Sequence, residues 1–176
     1  MTDNDPVDDT RSRESSSPEG SSLFGSSAHF EALRSPPSMI LPHLYLGNQS
    51  NAANKTQLKS LGISRILSLK DNAFLGTDPE GFESLHVPLS DYGNSNILES
   101  LETCFVFIEA STEENKVLVH CRGGINRSPT VVLAYLMARM KYTLKDAYEL
   151  VKTKCVVTCQ IPTDPPDEAL FAHTQI

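Results

Sequence analysis

Apolar residues in this chain fall in short runs separated by Pro, Gly, Asn and Asp, and the spacing inside each run predicts its element. Met39-Ile40-Leu41 and Leu44-Tyr45-Leu46-Gly47 read as a strand or hairpin interrupted by Pro42. A helix is expected from about Asn51 to Leu61, stopped by Gly62. Ile63 to Leu69 reads as a buried strand and Leu85 to Pro88 as another, with a Gly-, Asp- and Pro-rich loop from Lys70 to Phe82 between them. Ile97, Leu101, Cys104, Phe105 and Ile108 recur at helical spacing after the caps offered by Asn94 to Asn96, which puts Cys104 in the core. Lys116 to His120 is an apolar strand. The stretch from Ser128 to about Met140 is apolar nearly all round and is expected to be the central buried helix. Thr143-Leu144-Lys145-Asp146 forms a capping box ahead of an amphipathic face of Leu144, Ala147, Tyr148 and Val151. The sum is an α/β fold, a short mixed sheet of four or five strands flanked by helices, with its site at a strand's C-terminal end.

The pattern fails at both ends. Residues 1–37 are rich in Ser, Asp, Glu and Pro, with Arg11, Arg13 and Arg34 as the basic residues. Such a stretch buries too little to offset ordering entropy and is expected to be disordered. Ser17-Pro18 and Ser35-Pro36 suit proline-directed kinases, although linker is the favoured reading. One domain is expected over residues 38–154, and a divergent tail over residues 155–176, where Pro162, Pro165 and Pro166 precede an acidic end too short for a stable helix.

The apolar content of 39% suffices for one core at this length. No run approaches a membrane span, and Met1 to Asp5 is acidic where a secretory leader is basic and then apolar. With only Cys104, Cys121, Cys155 and Cys159 there is no disulfide framework, and a cytosolic or nuclear location is expected. Cys155 and Cys159 lack further ligands at metal spacing, so no metal is expected. A net charge of −7 argues against nucleic acid as a partner. Asn115 to Leu144 nevertheless contains no acidic residue and carries Lys116, Arg122, Arg127, Arg139 and Lys141. A region kept positive suits an anionic substrate.

Candidate chemistry lies inside that region, in Val117-Leu118-Val119-His120-Cys121-Arg122-Gly123-Gly124-Ile125-Asn126-Arg127-Ser128-Pro129. Strand, loop and helix succeed one another here. Loop N–H groups and a helix N-terminus attract an anion, and the same field favours a thiolate. A free thiol titrates near ~8.5, whereas one held among such donors falls to roughly 3.5 to 7.5, so Cys121 is expected to be ionised at neutral pH. Arg122, Gly123, Gly124, Ile125 and Asn126 form the cradle for the ligand. Both glycines allow close backbone approach or positive φ, and Asn126 is among the other residues that tolerate it best. Arg127 offers a planar fork for two oxygens of a tetrahedral oxyanion, and the ligand implied is phosphate. The Ser128 hydroxyl either donates to the sulfur or caps the helix. Pro129 suits the first helical turn.

The run His120-Cys121, two residues, Gly124, two residues, Arg127, Ser128 resembles the signature of the cysteine-dependent dual-specificity phosphatases of the protein tyrosine phosphatase superfamily. The resemblance covers roughly Ser38 to Lys152, including Leu44-Tyr45-Leu46-Gly47. Two loop positions depart from the commonest form, which has Ala at the position of Gly123 and Ser at that of Asn126. It implies a phosphatase fold with a Cys-loop-Arg phosphate cradle. Pro88-Leu89-Ser90-Asp91 is similar to the family's general-acid loop, so Asp91 is expected to protonate the leaving oxygen and later act as base toward water. For His120 the resemblance implies a hydrogen bond to the loop backbone, the alternative being a merely buried histidine.

The activity so implied is hydrolysis of phosphotyrosine and of phosphoserine or phosphothreonine in proteins through a phosphocysteine intermediate, with no cofactor. Phosphoproteins, protein kinases among them, are the expected partners. At this length no extra docking domain is expected. The rival reading is a non-catalytic phosphoprotein-binding module, kept open because the last helix usual in the family has no counterpart after Lys152.

Overall fold

A computed structural model describes residues 35–71, 79–89 and 97–155 of the chain. The expected tails over residues 1–34 and 156–176, most of the loop after Lys70, Asp91, and the caps at Asn94 to Asn96 lie outside the described residues.

Strands β1 (Ser38–Leu41), β2 (Leu44–Asn48), β3 (Ile63–Lys70), β4 (Glu83–Pro88) and β5 (Lys116–Cys121) form one sheet in the order β1-β2-β5-β3-β4. β1 and β2 are an antiparallel hairpin turned at Pro42 and His43, and every other pairing is parallel. The sheet is therefore mixed and five-stranded, as the apolar pattern led us to expect. β5 lies between β2 and β3, so its end is flanked by two strand ends, with Asn48 and Leu69 both in register with Cys121.

The helices are α1 (Gln49–Ala53), α2 (Lys55–Ser60), α3 (Ile97–Glu109), α4 (Arg127–Ala138) and α5 (Leu144–Lys154). The single helix expected over Asn51 to Leu61 is in fact two. Asn54 separates them: its side chain accepts from the Gln57 N–H at 3.1 Å, capping α2 at the point where the first helix would have continued. Gly62, at φ +74, ends α2 as expected.

One sheet face carries the larger core. There Leu44, Leu46, Leu67, Leu69, Val117 and Val119 pack on Leu101, Phe105 and Ile108 of α3, Val132 and Leu136 of α4, and Ala147 and Val151 of α5. Helix α4 buries nine of its residues and is the central helix. Cys104 is in this core. On the opposite face Tyr45, Ile66 and Leu118 pack against Ala52 and Leu58 of the two short helices. The Thr143 box forms with altered chemistry: Thr143 accepts from the Asp146 N–H at 3.1 Å and its hydroxyl donates to the Asp146 carboxylate at 2.7 Å.

Candidate active site

Cys121 is the last residue of the central strand and only 2% exposed, and the five residues after it turn directly into α4. Two donors reach its sulfur. The Gly124 N–H lies 3.2 Å from Sγ, and the Ser128 Oγ also lies 3.2 Å from it. Of the two readings open for Ser128, the geometry selects the sulfur. Helix α4 begins at Arg127 rather than Ser128, with Asn126 as the N-cap residue, so Ser128 is already inside the first turn. The Asn126 side chain makes no cap bond either; its carbonyl takes the first helical bond, from the Thr130 N–H at 3.0 Å.

Within the loop from Arg122 to Asn126 positive φ is confined to Gly124, at +73°; Asn126 has φ −119° and does not use the region it was expected to tolerate. The left-handed turn at Gly124 is what aims its N–H back at the sulfur. Gly123 and Ile125 are half-buried on the loop, while Arg122 and Asn126 are exposed at its rim. The Arg122 carbonyl accepts from the Gln49 N–H at 3.3 Å, fastening the loop to the start of α1.

Arg127 is buried, and its Nη1 donates to the Leu89 carbonyl at 2.8 Å. This bond ties the guanidinium to the segment that follows β4, two residues before Asp91 in sequence. Where the Asp91 carboxylate sits is outside the described residues.

His120 is 1% exposed. Successive residues of a strand point to opposite faces, so its ring lies across the sheet from the Cys121 sulfur and meets that residue at its backbone. Its Nδ1 lies 3.4 Å from the Cys121 carbonyl, and its Nε2 is 2.7 Å from Ser68 Oγ.

The basic stretch is less concentrated than the sequence suggested. Arg139 pairs with Glu102 and Glu109 of α3, Lys116 donates to the Leu61 carbonyl at the far end of β5, and Lys141 donates to the Ala138 carbonyl. Strand and helix carry these three away from the sulfur, and Arg122 and Arg127 supply the positive charge at the loop. Among the described residues no group of three or more His, Cys, Asp or Glu could hold a metal ion, and no helix is long and apolar enough to cross a membrane. Among the described residues no cysteine is in a disulfide.

Ser68 and the pair Asn48 and Asn51 escaped the sequence reading. All three are buried, and Asn48 and Asn51 form a reciprocal capping box at the start of α1, beside the loop. A serine inside the otherwise apolar Ile66-Leu67-Ser68-Leu69 was the available signal for the first.

A thiol at a strand end, two donors on it, and a buried arginine opening the helix after the loop make an arrangement suited to phosphate chemistry at a cysteine. Residues 44–160 match the family described as dual specificity phosphatase, catalytic domain, and the chain belongs to that family. It is similar to human dual specificity protein phosphatase 9, 40% identical over 120 residues that make up 67% of this chain and 31% of that one. Human dual specificity protein phosphatase 6 is 36% identical over 138 residues, 77% of this chain and 35% of its own. The chain thus spans about a third of the length of these curated relatives. Among solved structures, the human tyrosine phosphatase-like serine/threonine/tyrosine-interacting protein superposes with a TM-score of 0.65 at 26% identity, over 77% of this chain and 97% of that one.

Proposed function

We propose that the chain is a protein phosphatase that hydrolyses phosphotyrosine and phosphoserine or phosphothreonine through a phosphocysteine. The observation that carries this reading is the pair of donors, Gly124 N–H and Ser128 Oγ, converging at 3.2 Å on the Cys121 sulfur. Such donors stabilise a thiolate before reaction and a departing thiolate after it.

In the first step the Cys121 thiolate attacks phosphorus and the bond to the substrate oxygen breaks. Loop N–H groups and Arg127 hold the equatorial oxygens, and Asp91 passes its proton to the leaving oxygen. In the second step Asp91 takes a proton from water, the water oxygen bonds to phosphorus, and the P–S bond breaks with Ser128 donating to the released thiolate. Phosphoproteins are the proposed substrates, protein kinases among them, in the reducing cytosol or nucleus.

A second reading is favoured by one observation: the solved relative described above is named a phosphatase-like interacting protein, so this fold also serves binding. The two readings part in one experiment. Hydrolysis of para-nitrophenyl phosphate is measured for the purified chain and for Cys121→Ser, with chelator present. Turnover in the first and none in the second is expected. A folded chain that binds phosphotyrosine peptides without turning over would establish the binding module instead.

A further inference from the structure

On the face of the sheet away from the Cys121 sulfur, the strands carry a short polar row. In register across β2, β5, β3 and β4 stand Gly47, His120, Ser68 and His86. Ser68 is fully buried, and its Oγ lies 2.7 Å from His120 Nε2, the shorter of the two contacts described above for that ring. A buried hydroxyl in the middle of an apolar strand is costly without a partner, and here the partner is the residue adjoining the nucleophile.

Protonation at the two ring nitrogens follows from what they face. A carbonyl oxygen can only accept, so Nδ1 carries the hydrogen directed at Cys121 O; in the neutral ring Nε2 then only accepts, and Ser68 Oγ donates to it. The 3.4 Å contact at Nδ1 is the longer of the two, and the 2.7 Å bond to Ser68 holds the ring in the orientation that turns the Nδ1 hydrogen to the carbonyl.

We infer that Ser68 is a positioning residue for the nucleophile: it holds the His120 ring with Nδ1–H toward the Cys121 carbonyl, which keeps that carbonyl turned from the sulfur and the Gly124 N–H aimed at it. This inference rests on the phosphatase reading for its catalytic consequence, but not for its effect on the thiol. Other ionisable groups around the row are His86 on β4, Lys70 two positions further along the same face of β3, and Arg122 and Arg127 beyond Cys121.

The test uses the full chain, Ser68→Ala and Ser68→Thr, with Cys121 alkylation by iodoacetamide measured across pH and para-nitrophenyl phosphate kinetics alongside. In Ser68→Ala the midpoint of alkylation is expected to move upward by about half a unit or more. The acid limb of kcat/KM should move with it, kcat at neutral pH should fall several-fold, and KM should change little. Ser68→Thr keeps the hydroxyl on a residue suited to a strand and should restore the wild-type profile. Ring nitrogen resonances of His120 should report the Nδ1–H tautomer in the wild type and in Ser68→Thr, and a mixture in Ser68→Ala. An unshifted midpoint in Ser68→Ala, or a Ser68→Thr profile as perturbed as that of Ser68→Ala, would overturn the inference. An alkylation shift in a chain without turnover would uphold the positioning role while defeating the phosphatase reading.

Discussion

Two adjacent glycines in the loop after Cys121 should respond very unequally to the same added methyl group. At Gly124 a Cβ would sit 2.9 Å from the Gly47 carbonyl oxygen, 3.2 Å from its carbon and 3.3 Å from Asn48 Cβ, at a φ of +73°. The left-handed conformation costs an L-residue about 1 to 2 kcal/mol. The obstructing atoms are mainly backbone of β2, which is hydrogen-bonded between β1 and β5 and cannot give way cheaply. Overpacking of that kind adds about 1 to 3 kcal/mol. Gly124→Ala should therefore lose about 2 to 5 kcal/mol, a fall in Tm of roughly 5 to 15 °C for a domain of this size. Catalysis should suffer separately, because relief of the clash moves the N–H that points at Cys121 Sγ. Loss of one such donor lowers kcat by roughly 100-fold to 1000-fold.

Gly123→Ala is the internal control. Its Cβ would meet only the Ile125 side chain, at 3.4 Å and 3.6 Å, and its φ is not positive. Less than about 1 kcal/mol should be lost, which agrees with the family's commonest form carrying Ala there. Thermal melting and para-nitrophenyl phosphate turnover of both variants decide the matter. Equal losses at the two positions, or a Gly124→Ala variant that melts and turns over like the parent, would refute the assignment of the turn to Gly124.

Other consequences follow from single contacts. Ser128→Ala removes the donor to the departing thiolate, so phosphocysteine should accumulate and a pre-steady-state burst should grow while the steady-state rate falls; an unchanged burst amplitude would place Ser128 outside the second step. Lys141 stands at φ +60° just past α4, where the Tyr142 N–H reaches back to the Leu136 carbonyl at 3.1 Å. Lys141→Gly should raise the urea midpoint by about 0.5 kcal/mol of stability without changing the slope, and a lowered midpoint would refute the strain. Burial pushes the Cys104 thiol up to about 11, above that of a free thiol, so at alkaline pH the unfolded chain releases a proton that the native chain keeps. Stability from this group is complete below pH 9 and is lost as pH rises toward 11, about 2 to 3 kcal/mol in all. Cys104→Ala should flatten that part of the pH–stability curve.

Much of this architecture was legible because its determinants are local. Periods of two and of about 3.6 mark five strands and the long helices, and the phosphate loop is contiguous from His120 to Ser128, so spacing alone brings its parts together. Local signals misled where one residue had two uses. Asn54 reads as an ordinary polar position in a helix until its side chain is seen capping α2. Arg139 reads as part of a basic field until α3 brings Glu102 and Glu109 against it, some thirty positions away in sequence. Ser68 lies 52 positions from His120, and no periodicity encodes which side chains share a sheet row; only the strand order β5-β3 does.

That strand order also explains why histidine directly precedes the nucleophile. Alternation along a strand forbids adjacent side chains from sharing a face, so an imidazole one residue from the thiol cannot serve as its base. At one residue it acts through the Cys121 carbonyl and leaves the sulfur's face to donors alone. The cost is a buried ring on the far face, 1% exposed, that needs its own partner there. Ser68 on β3 is such a partner, at 2.7 Å, so in this chain the His-Cys order is served by a hydroxyl on a neighbouring strand as well as by the glycine turn that follows it.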